Sequence, residues 1–148
     1  MTFRSNVTFS FTLSLQVYAE LFISAGNYVG FKRVAEPKAA GAFWNQFEDL
    51  GPGRVSRDAD GNVDLNITGD AATDVTLDNP DFTVLSFRSN VVLRWEYLLG
   101  STAFLVWQHG RSDFSNDGRF QFGSNVDDLF SANAQNVFLL KINYWISP

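Results

Sequence analysis

The sequence predicts an all-β fold, an antiparallel transmembrane β-barrel segment with long polar loops, and three observations favour it. Aromatic residues make up 16% of the 148 residues, and aromatic side chains favour strands and form the girdles of outer-membrane barrels. Apolar and polar side chains alternate over several long segments. Two long polar excursions interrupt these segments, as extracellular loops interrupt the strands of such barrels.

Alternation is clearest from Phe3 to Ile23, where odd positions are almost wholly apolar and even positions are mostly polar. Successive side chains of a strand point to opposite faces, so the pattern indicates β structure with one apolar and one polar side. The segment exceeds the roughly 9–11 residues that a membrane strand needs. Two strands joined by an odd-length turn near residues 11–14, or one long strand, would both preserve the pattern.

A hairpin is predicted between Leu85 and His109. Its two-residue loop is Leu99–Gly100, since glycine favours tight hairpin turns. This loop places Trp95 opposite Phe104, and the apolar sides of the two strands then coincide, as antiparallel pairing requires.

The last predicted strand covers residues 137–146 and ends in aromatic residues almost at the C-terminus. This ending resembles the C-terminal signal by which outer-membrane barrels engage the barrel-assembly machinery, although Ser147-Pro148 departs from the usual terminal Phe or Trp. The two faces of the strand are Phe138, Leu140, Ile142 and Tyr144 on one side, and Leu139, Lys141 and Asn143 on the other.

Long polar loops are predicted at about 26–80 and about 110–135. The first contains a predicted hairpin in which residues 54–57 and 62–67 flank an Asp-Gly turn at Asp60-Gly61, a strong turn signal. Only about four or five membrane strands are evident, whereas about eight are the fewest that close around a side-chain-filled interior. Residues 1–148 are therefore predicted to be a single β-barrel region, the C-terminal part of a larger barrel.

Charge and composition exclude several classes of protein. A net charge of −5 and a pI near 4.6 argue against a nucleic-acid surface. The absence of cysteine excludes disulfides, thiolate metal sites and thiol nucleophiles. The N-terminus lacks the basic region and apolar core of a signal peptide. Since an outer-membrane protein needs export, we expect an excised fragment or a truncated gene start, unless the membrane interpretation is wrong.

Six polar side chains are predicted to face the barrel lumen. They would line a pore, hold a polar solute, or simply pair with one another across strands, and pairing is the simpler interpretation. These residues are Gln16, Glu20, Arg88, Arg94, Glu96 and Lys141.

The sequence suggests one metal site, a calcium loop. Asp58, Asp60, Asn62 and Asp64 alternate around Gly61 and carry the oxygen ligands that calcium prefers. The spacing is not that of an EF-hand, which needs glycine at its sixth position and a distal glutamate. A polar hairpin turn is therefore the favoured interpretation.

Catalytic residues are not predicted. His109 is the only histidine, and no nucleophile-elbow signature accompanies it. A glycoside hydrolase needs two carboxylates flanking a cleft, and no such pair stands out. His109 is therefore expected to be structural.

Five parts of the chain carry a family resemblance: Leu13–Glu20 with Ser24–Tyr28, Asn79–Phe82, Phe87–Tyr97, Gly100–Gln108 and Asn136–Trp145. Together they resemble the C-terminal end of a bacterial family, domain of unknown function 5916. The resemblance implies a membrane barrel and a carbohydrate-related or hydrolase-like role. It also implies a preceding N-terminal domain similar to carbohydrate-binding module family 9, which this chain lacks.

Three functions remain open. The first is an outer-membrane barrel that serves as anchor, pore or transport scaffold, with the lipid bilayer, the assembly machinery and an oligosaccharide as expected partners. The second is a soluble β-barrel or sandwich that binds a small apolar ligand, because alternation alone permits an apolar interior as well. The third is part of a glycoside-hydrolase-like enzyme.

Overall fold

The structure, a computed structural model, describes residues 1–38, 40–70 and 72–146. Strands account for 55% of it and helices for 10%, which confirms the all-β prediction. The chain divides into two compact units. Unit 1 comprises Met1–Ser24, Val84–Phe114 and Phe120–Pro148, and unit 2 comprises Ala25–Thr83 and Ser115–Arg119.

Ten strands, β1 to β10, and one α-helix occur in the described residues. Helix α1 spans Phe122–Ser131, and a short 3₁₀ helix spans Phe43–Gln46. In chain order the strands are Thr2–Ser10, Leu13–Gly26, Lys32–Val34, Phe47–Asp49, Val55–Arg57, Val63–Leu65, Val75–Leu77, Phe82–Leu98, Ser101–Ser115 and Gln135–Asn143.

The five long strands form one sheet in the order β1-β2-β8-β9-β10. Within the described residues the sheet is open, since β1 pairs only with β2 and β10 only with β9. The five strands do not close into a barrel. Both edge strands leave a row of backbone N–H and C=O groups without a partner strand.

The N-terminal alternation is a hairpin rather than one long strand. Val7 lies opposite Leu15, so odd positions face odd positions. The turn itself has two residues, Phe11 and Thr12, which would normally pair residues of opposite parity. A register shift between Thr8 and Ser10 adds one residue, and this β-bulge restores the parity.

The hairpin between β8 and β9 turns at Leu99–Gly100, as predicted. Gly100 adopts a φ of 75°, a left-handed conformation that favours glycine. A Cβ atom at this position would lie 3.1 Å from the Trp145 side chain. The Trp145 backbone N–H donates to Oγ of buried Ser101 at 2.9 Å. The segment that follows β10 therefore packs against this turn.

The predicted loop at about 26–80 is wrong as a description of this region, because it holds a folded unit with its own core. Leu50, Val63 and Leu65 are buried and pack with Phe31, Val55 and Ile67. The predicted hairpin is confirmed: β5 pairs with β6, which also pairs with β7, and β3 pairs with β4. Strands β3, β4 and β7 give too short a pattern to predict, whereas the Asp60-Gly61 turn revealed β5 and β6, and Val63 and Leu65 of β6 are buried in the core of the unit.

The predicted loop at about 110–135 is also partly wrong. Strand β9 continues to Ser115, and α1 occupies Phe122–Ser131. Leu129 of the helix is fully buried, and the Phe130 ring lies 5.3 Å from that of Phe87. The helix is short, so its packing against the sheet decides its formation more than its intrinsic propensity does.

The part of the chain that the structure describes contains no helix long and apolar enough to cross a membrane.

Candidate functional site

Unit 2 is organised around the buried carboxylate of Asp81. Arg57 approaches it with both terminal nitrogens, each 3.1 Å from a carboxylate oxygen. The Asn27 side chain donates to it at 2.6 Å and the Tyr28 backbone N–H at 2.8 Å. Arg57 also donates to the Tyr28 carbonyl at 2.7 Å. This bidentate, charge-assisted arrangement fixes three separate segments of the chain to one another.

The electrostatics of this cluster favour the ionised carboxylate. The Tyr28 N–H holds the pKa of the Asp81 carboxyl below its usual range, burial opposes the shift, and the Arg57 guanidinium reinforces it. A carboxylate whose oxygens already accept four hydrogen bonds is a poor general acid or base near neutral pH. We conclude that Asp81 and Arg57 are structural.

Asn79 and Asn116 extend the same network along the backbone. The Asn116 side chain donates to the carbonyls of Asn79 at 3.1 Å and Asp81 at 2.9 Å. Gly118 has a φ of 66°. A Cβ atom at this position would lie only 2.9 Å from the Asp81 side chain, so no larger residue fits here without a shift. Sequence analysis assigned no role to these residues, although Asn79-Pro80-Asp81-Phe82 was among the stretches shared with the family. The buried charge of Asp81 could not be predicted, because its partners Asn27, Tyr28 and Arg57 are distant from it in the sequence.

The residues of the predicted calcium loop bond largely to one another and to their neighbours. Asp58 accepts the backbone N–H groups of Asp60 and Asn62, both at 2.9 Å, and the Asn62 side chain at 2.8 Å. Asp64 accepts the Thr76 hydroxyl at 2.5 Å. The hydrogen bonds that Asp58 accepts lower its pKa, and the bond from the Asn62 side chain has the largest effect.

Such contacts are those of an Asx turn, the favoured interpretation. No group of three or more His, Cys, Asp or Glu residues placed to hold a metal ion occurs in the described residues. Calcium binding by this turn stays a prediction.

The six predicted lumen residues do not form one cluster. Arg94 and Glu96 make an ion pair at 3.2 Å along β8. Glu20 accepts the Tyr18 hydroxyl at 2.8 Å, and Gln16 lies opposite Asn6 at the exposed edge hairpin. Pairing among neighbours therefore accounts for part of the set.

Arg88 and Lys141 differ from these residues. Arg88 borders a cleft of about 530 Å³ together with Tyr18, Asn90 and Gln108. Lys141 lies directly opposite Phe104. Sequence analysis assigned Phe104 to the apolar face and Lys141 to the polar face, and this register corrects that assignment, because directly paired residues share a face.

His109 is held in place by its neighbours. Its Nδ1 lies 2.8 Å from Oδ1 of Asn136, and Nε of Arg111 donates to its Nε2 at 3.2 Å. The same asparagine oxygen accepts the indole N–H of Trp107 at 3.0 Å. No nucleophilic side chain is hydrogen-bonded to the ring among the described contacts. The geometry fits the expected structural role.

Arg111 links this cluster to helix α1. Its guanidinium donates to the carbonyl of Phe130 and, at 3.0 Å, to that of Ala132. These are carbonyls at the C-terminal end of the helix, where a positive charge interacts favourably with the helix dipole. The helix has no basic residue in its last turn, and Arg111 supplies this charge from β9.

Comparison with known protein families identifies one relation. Residues 54–147 match the model of the family described as Domain of unknown function (DUF5916). The chain belongs to this family. The match begins at the hairpin of unit 2 and includes the Arg57–Asp81 pair, helix α1 and strands β8 to β10. Comparisons with curated proteins and with solved structures gave no match.

Membership in DUF5916 confirms the resemblance that the sequence analysis stated. The family name assigns no activity. Neither Asp nor Glu borders the cleft beside Arg88, and that cleft therefore lacks the two carboxylates of a glycoside hydrolase.

Proposed function

We propose that the chain forms part of the membrane wall of a bacterial outer-membrane β-barrel that serves as anchor, pore or transport scaffold. One observation carries the proposal: strands β9 and β10 present a continuous apolar patch on one face. The register pairs its residues directly across the two strands. The patch consists of Ala103, Leu105, Trp107, Phe138, Leu140 and Ile142.

The patch is exposed in this chain, most strongly along β10. Phe138 is 69% exposed, Leu140 65% and Ile142 62%. Soluble monomers rarely expose contiguous apolar patches of this kind, because water disfavours them. A hydrocarbon environment removes that penalty without any further protein layer.

The opposite face of the same two strands is mixed. It carries Lys141, Asn143 and Gln108 among apolar residues such as Val106 and Leu139. One continuous apolar face and one interrupted by polar groups is the pattern of a membrane barrel wall, with lipid outside and a polar lumen inside. We therefore propose that the apolar patch on β9 and β10 faces lipid. This reverses the sequence-based assignment, in which Trp95 and Phe104 lay on the apolar side and Arg94 and Glu96 faced the lumen, because the turn at Leu99–Gly100 places Arg94 and Glu96 on the face of the patch.

The open edges fit the same proposal. In a bilayer, backbone groups have no water to bond, so each strand edge needs a partner strand. Five strands are fewer than the roughly eight of the smallest barrels. Further strands, from another segment or from other copies of the chain, would complete the barrel, and β10 is the edge that the barrel-assembly machinery would engage.

The test is partitioning of the purified chain between buffer and non-ionic detergent micelles, read by circular dichroism. We expect a strand-rich signal in micelles and aggregation in detergent-free buffer, because open sheet edges and exposed apolar patches promote association. A folded, strand-rich monomer in plain buffer would overturn the proposal and favour the soluble barrel with an apolar ligand.

A matched pair of variants sharpens the test. Leu140→Lys places a charge on the proposed lipid side, and Leu139→Lys places it on the other face at the same depth. Lysine facing lipid near mid-bilayer destabilises outer-membrane barrels by about 2–4 kcal/mol. We expect Leu140→Lys to lower the urea midpoint of the micelle-folded protein and Leu139→Lys to change it little. Equal effects of the two variants would contradict the face assignment.

A further inference from the structure

We propose that unit 1 contains a binding site for a small oxoanion, a solute that carries a carboxylate or phosphate group. The site lies at Arg88 of β8. It goes beyond the proposed membrane function, because all its residues belong to unit 1 and its chemistry does not depend on where that unit resides.

The site consists of two adjoining clefts. The smaller, of about 160 Å³, is bordered by Ser86, Arg88 and Arg111 together with Ser112, Asn133 and Gln135. The larger, of about 530 Å³, is bordered by Arg88 with Tyr18, Asn90 and Gln108. Arg88, Gly110 and Gln135 border both. The smaller cleft is of a size to take a single oxoanion group, and the larger has room for the remainder of a solute.

The charge of the clefts favours an anion. Two basic residues, Arg88 and Arg111, border the smaller cleft, and neither cleft is bordered by Asp or Glu. Arg111 is held by His109 and by the end of helix α1. Arg4 and Glu20 both contact Tyr18, Arg4 at 5.2 Å from its ring centroid and Glu20 by accepting its hydroxyl at 2.8 Å, so their charges offset each other and the preference for an anion rests on Arg88 and Arg111. Planar guanidinium groups bind carboxylates and phosphates with paired hydrogen bonds.

Arg88 is available for such a ligand. Within residues 1–38, 40–70 and 72–146, its guanidinium takes part in none of the salt bridges or side-chain hydrogen bonds. Arg94, on the same strand, is paired with Glu96. Arg94 therefore pairs within the sheet, whereas Arg88 borders the clefts without a partner among the described residues.

A second, independent observation lies beside Arg88. The side-chain oxygen Oδ1 of Asn90 is buried and has no hydrogen-bond partner. A buried acceptor without a donor is costly, and a rotation of the Asn90 side chain toward the cleft that it borders would let a hydroxyl group of the bound solute satisfy it. The ligand that fits both residues is therefore a hydroxylated carboxylate or phosphate.

Gly110 keeps the clefts open. A Cβ atom at this position would meet only the Phe87 carbonyl oxygen, at 4.0 Å. The backbone therefore tolerates a side chain here, and the missing side chain leaves room between Arg88 and Gln135. This gives a variant that fills the site without disturbing the fold.

The experiment is a titration of the full chain, in whichever medium gives the folded protein, followed by backbone amide NMR shifts. The probes are inorganic phosphate and glycolate, with chloride at equal ionic strength as the reference. We expect saturable shifts concentrated at residues 88–90 and 108–112. Because hydrogen bonds to charged groups contribute more than neutral ones, Arg88→Gln should weaken phosphate binding by about tenfold.

Three further variants make the result decisive. Arg94→Gln removes a guanidinium from the same strand outside the clefts and should leave binding unchanged. Asn90→Asp should weaken binding by placing a carboxylate in the site, and Gly110→Val should do so by filling it. Shifts that do not saturate in the wild-type chain, or equal weakening by Arg94→Gln and Arg88→Gln, would overturn the proposal. The titration does not require a bilayer, so the two proposals can fail separately. Absence of phosphate binding would overturn the oxoanion site and leave the membrane proposal unaffected. A soluble chain that binds phosphate would overturn the membrane proposal and support the oxoanion site.

Discussion

Trp107 and Phe138 lie directly opposite each other on β9 and β10, with ring centroids 6.0 Å apart and ring planes 4° from parallel. Both belong to the apolar patch. The stacked pair joins β9 to the edge strand β10, and it links the sheet register to the proposed contact with lipid.

Phe138→Ala should lower the free energy of unfolding of the micelle-folded chain by about 1 kcal/mol, since aromatic cross-strand pairs contribute about 0.5–1.5 kcal/mol. Phe138→Leu, which keeps an apolar side chain, is the control. Urea titration of the single and double variants with Trp107→Ala measures the coupling. A coupling energy near zero would show that the stacking does not stabilise the sheet.

Asp81→Asn should destabilise unit 2 by about 2–3 kcal/mol, because the half-buried guanidinium of Arg57 would lose its charged partner. Arg57→Lys keeps the charge but loses the paired geometry, and we expect a smaller effect. Hydrogen exchange of the amides in β5 and β6 measures both. Unchanged protection in Asp81→Asn would contradict the structural role.

The stability of unit 2 should depend on acid pH. The folded-state pKa of Asp81 lies below its ordinary value of 3.8, as do those of Asp58 and Asp74. A lowered pKa contributes stability that is fully present above the ordinary pKa and is lost as the pH falls through the folded-state pKa. Amide protection should therefore be flat from pH 7 to about 5 and fall below about 4. Asp81→Asn should flatten this fall, and an unchanged profile would contradict the assignment.

Arg111→Met should loosen helix α1, because Arg111 bonds to the carbonyls of Phe130 and Ala132 at its C-terminal end. Arg111→Lys keeps the favourable charge near the helix end and should retain part of the protection. Hydrogen exchange of the α1 amides provides the measurement. Equal protection in the wild type and in Arg111→Met would show that the packing of Leu129 and Phe130 holds the helix alone.

The sequence predicted those features of the fold that depend on long alternation. The turn at Leu99–Gly100 and the division of β10 into two faces follow from parity and turn chemistry, which are local. The bulge near Ser10 was not predictable, because it changes register without changing the alternation. In unit 2 the Asp60-Gly61 turn revealed β5 and β6, but β3, β4 and β7 were missed, because the contacts that join them to this hairpin and its core link residues too distant for a pattern to reveal.

The candidate sites divide in the same way. The Asp58 turn was visible because its partners are within a few residues. Asp81 was not, since Asn27 and Arg57 reach it from 54 and 24 residues away. Arg88 was expected on a polar face, but the unpartnered Asn90 beside it could be found only from atomic contacts.

The most direct test of the central claim is quenching of Trp107 by brominated lipid in vesicles. The variant retains Trp107 and replaces Trp44, Trp95 and Trp145 with phenylalanine, and a second variant that retains only Trp44, an exposed residue of unit 2, is the control. We predict strong quenching of Trp107 by bromine on the acyl chains, and quenching of Trp44 by aqueous acrylamide but not by the lipid. If acrylamide quenches the fluorescence of Trp107 and brominated lipid does not, the assignment of the β9–β10 patch to the bilayer is wrong.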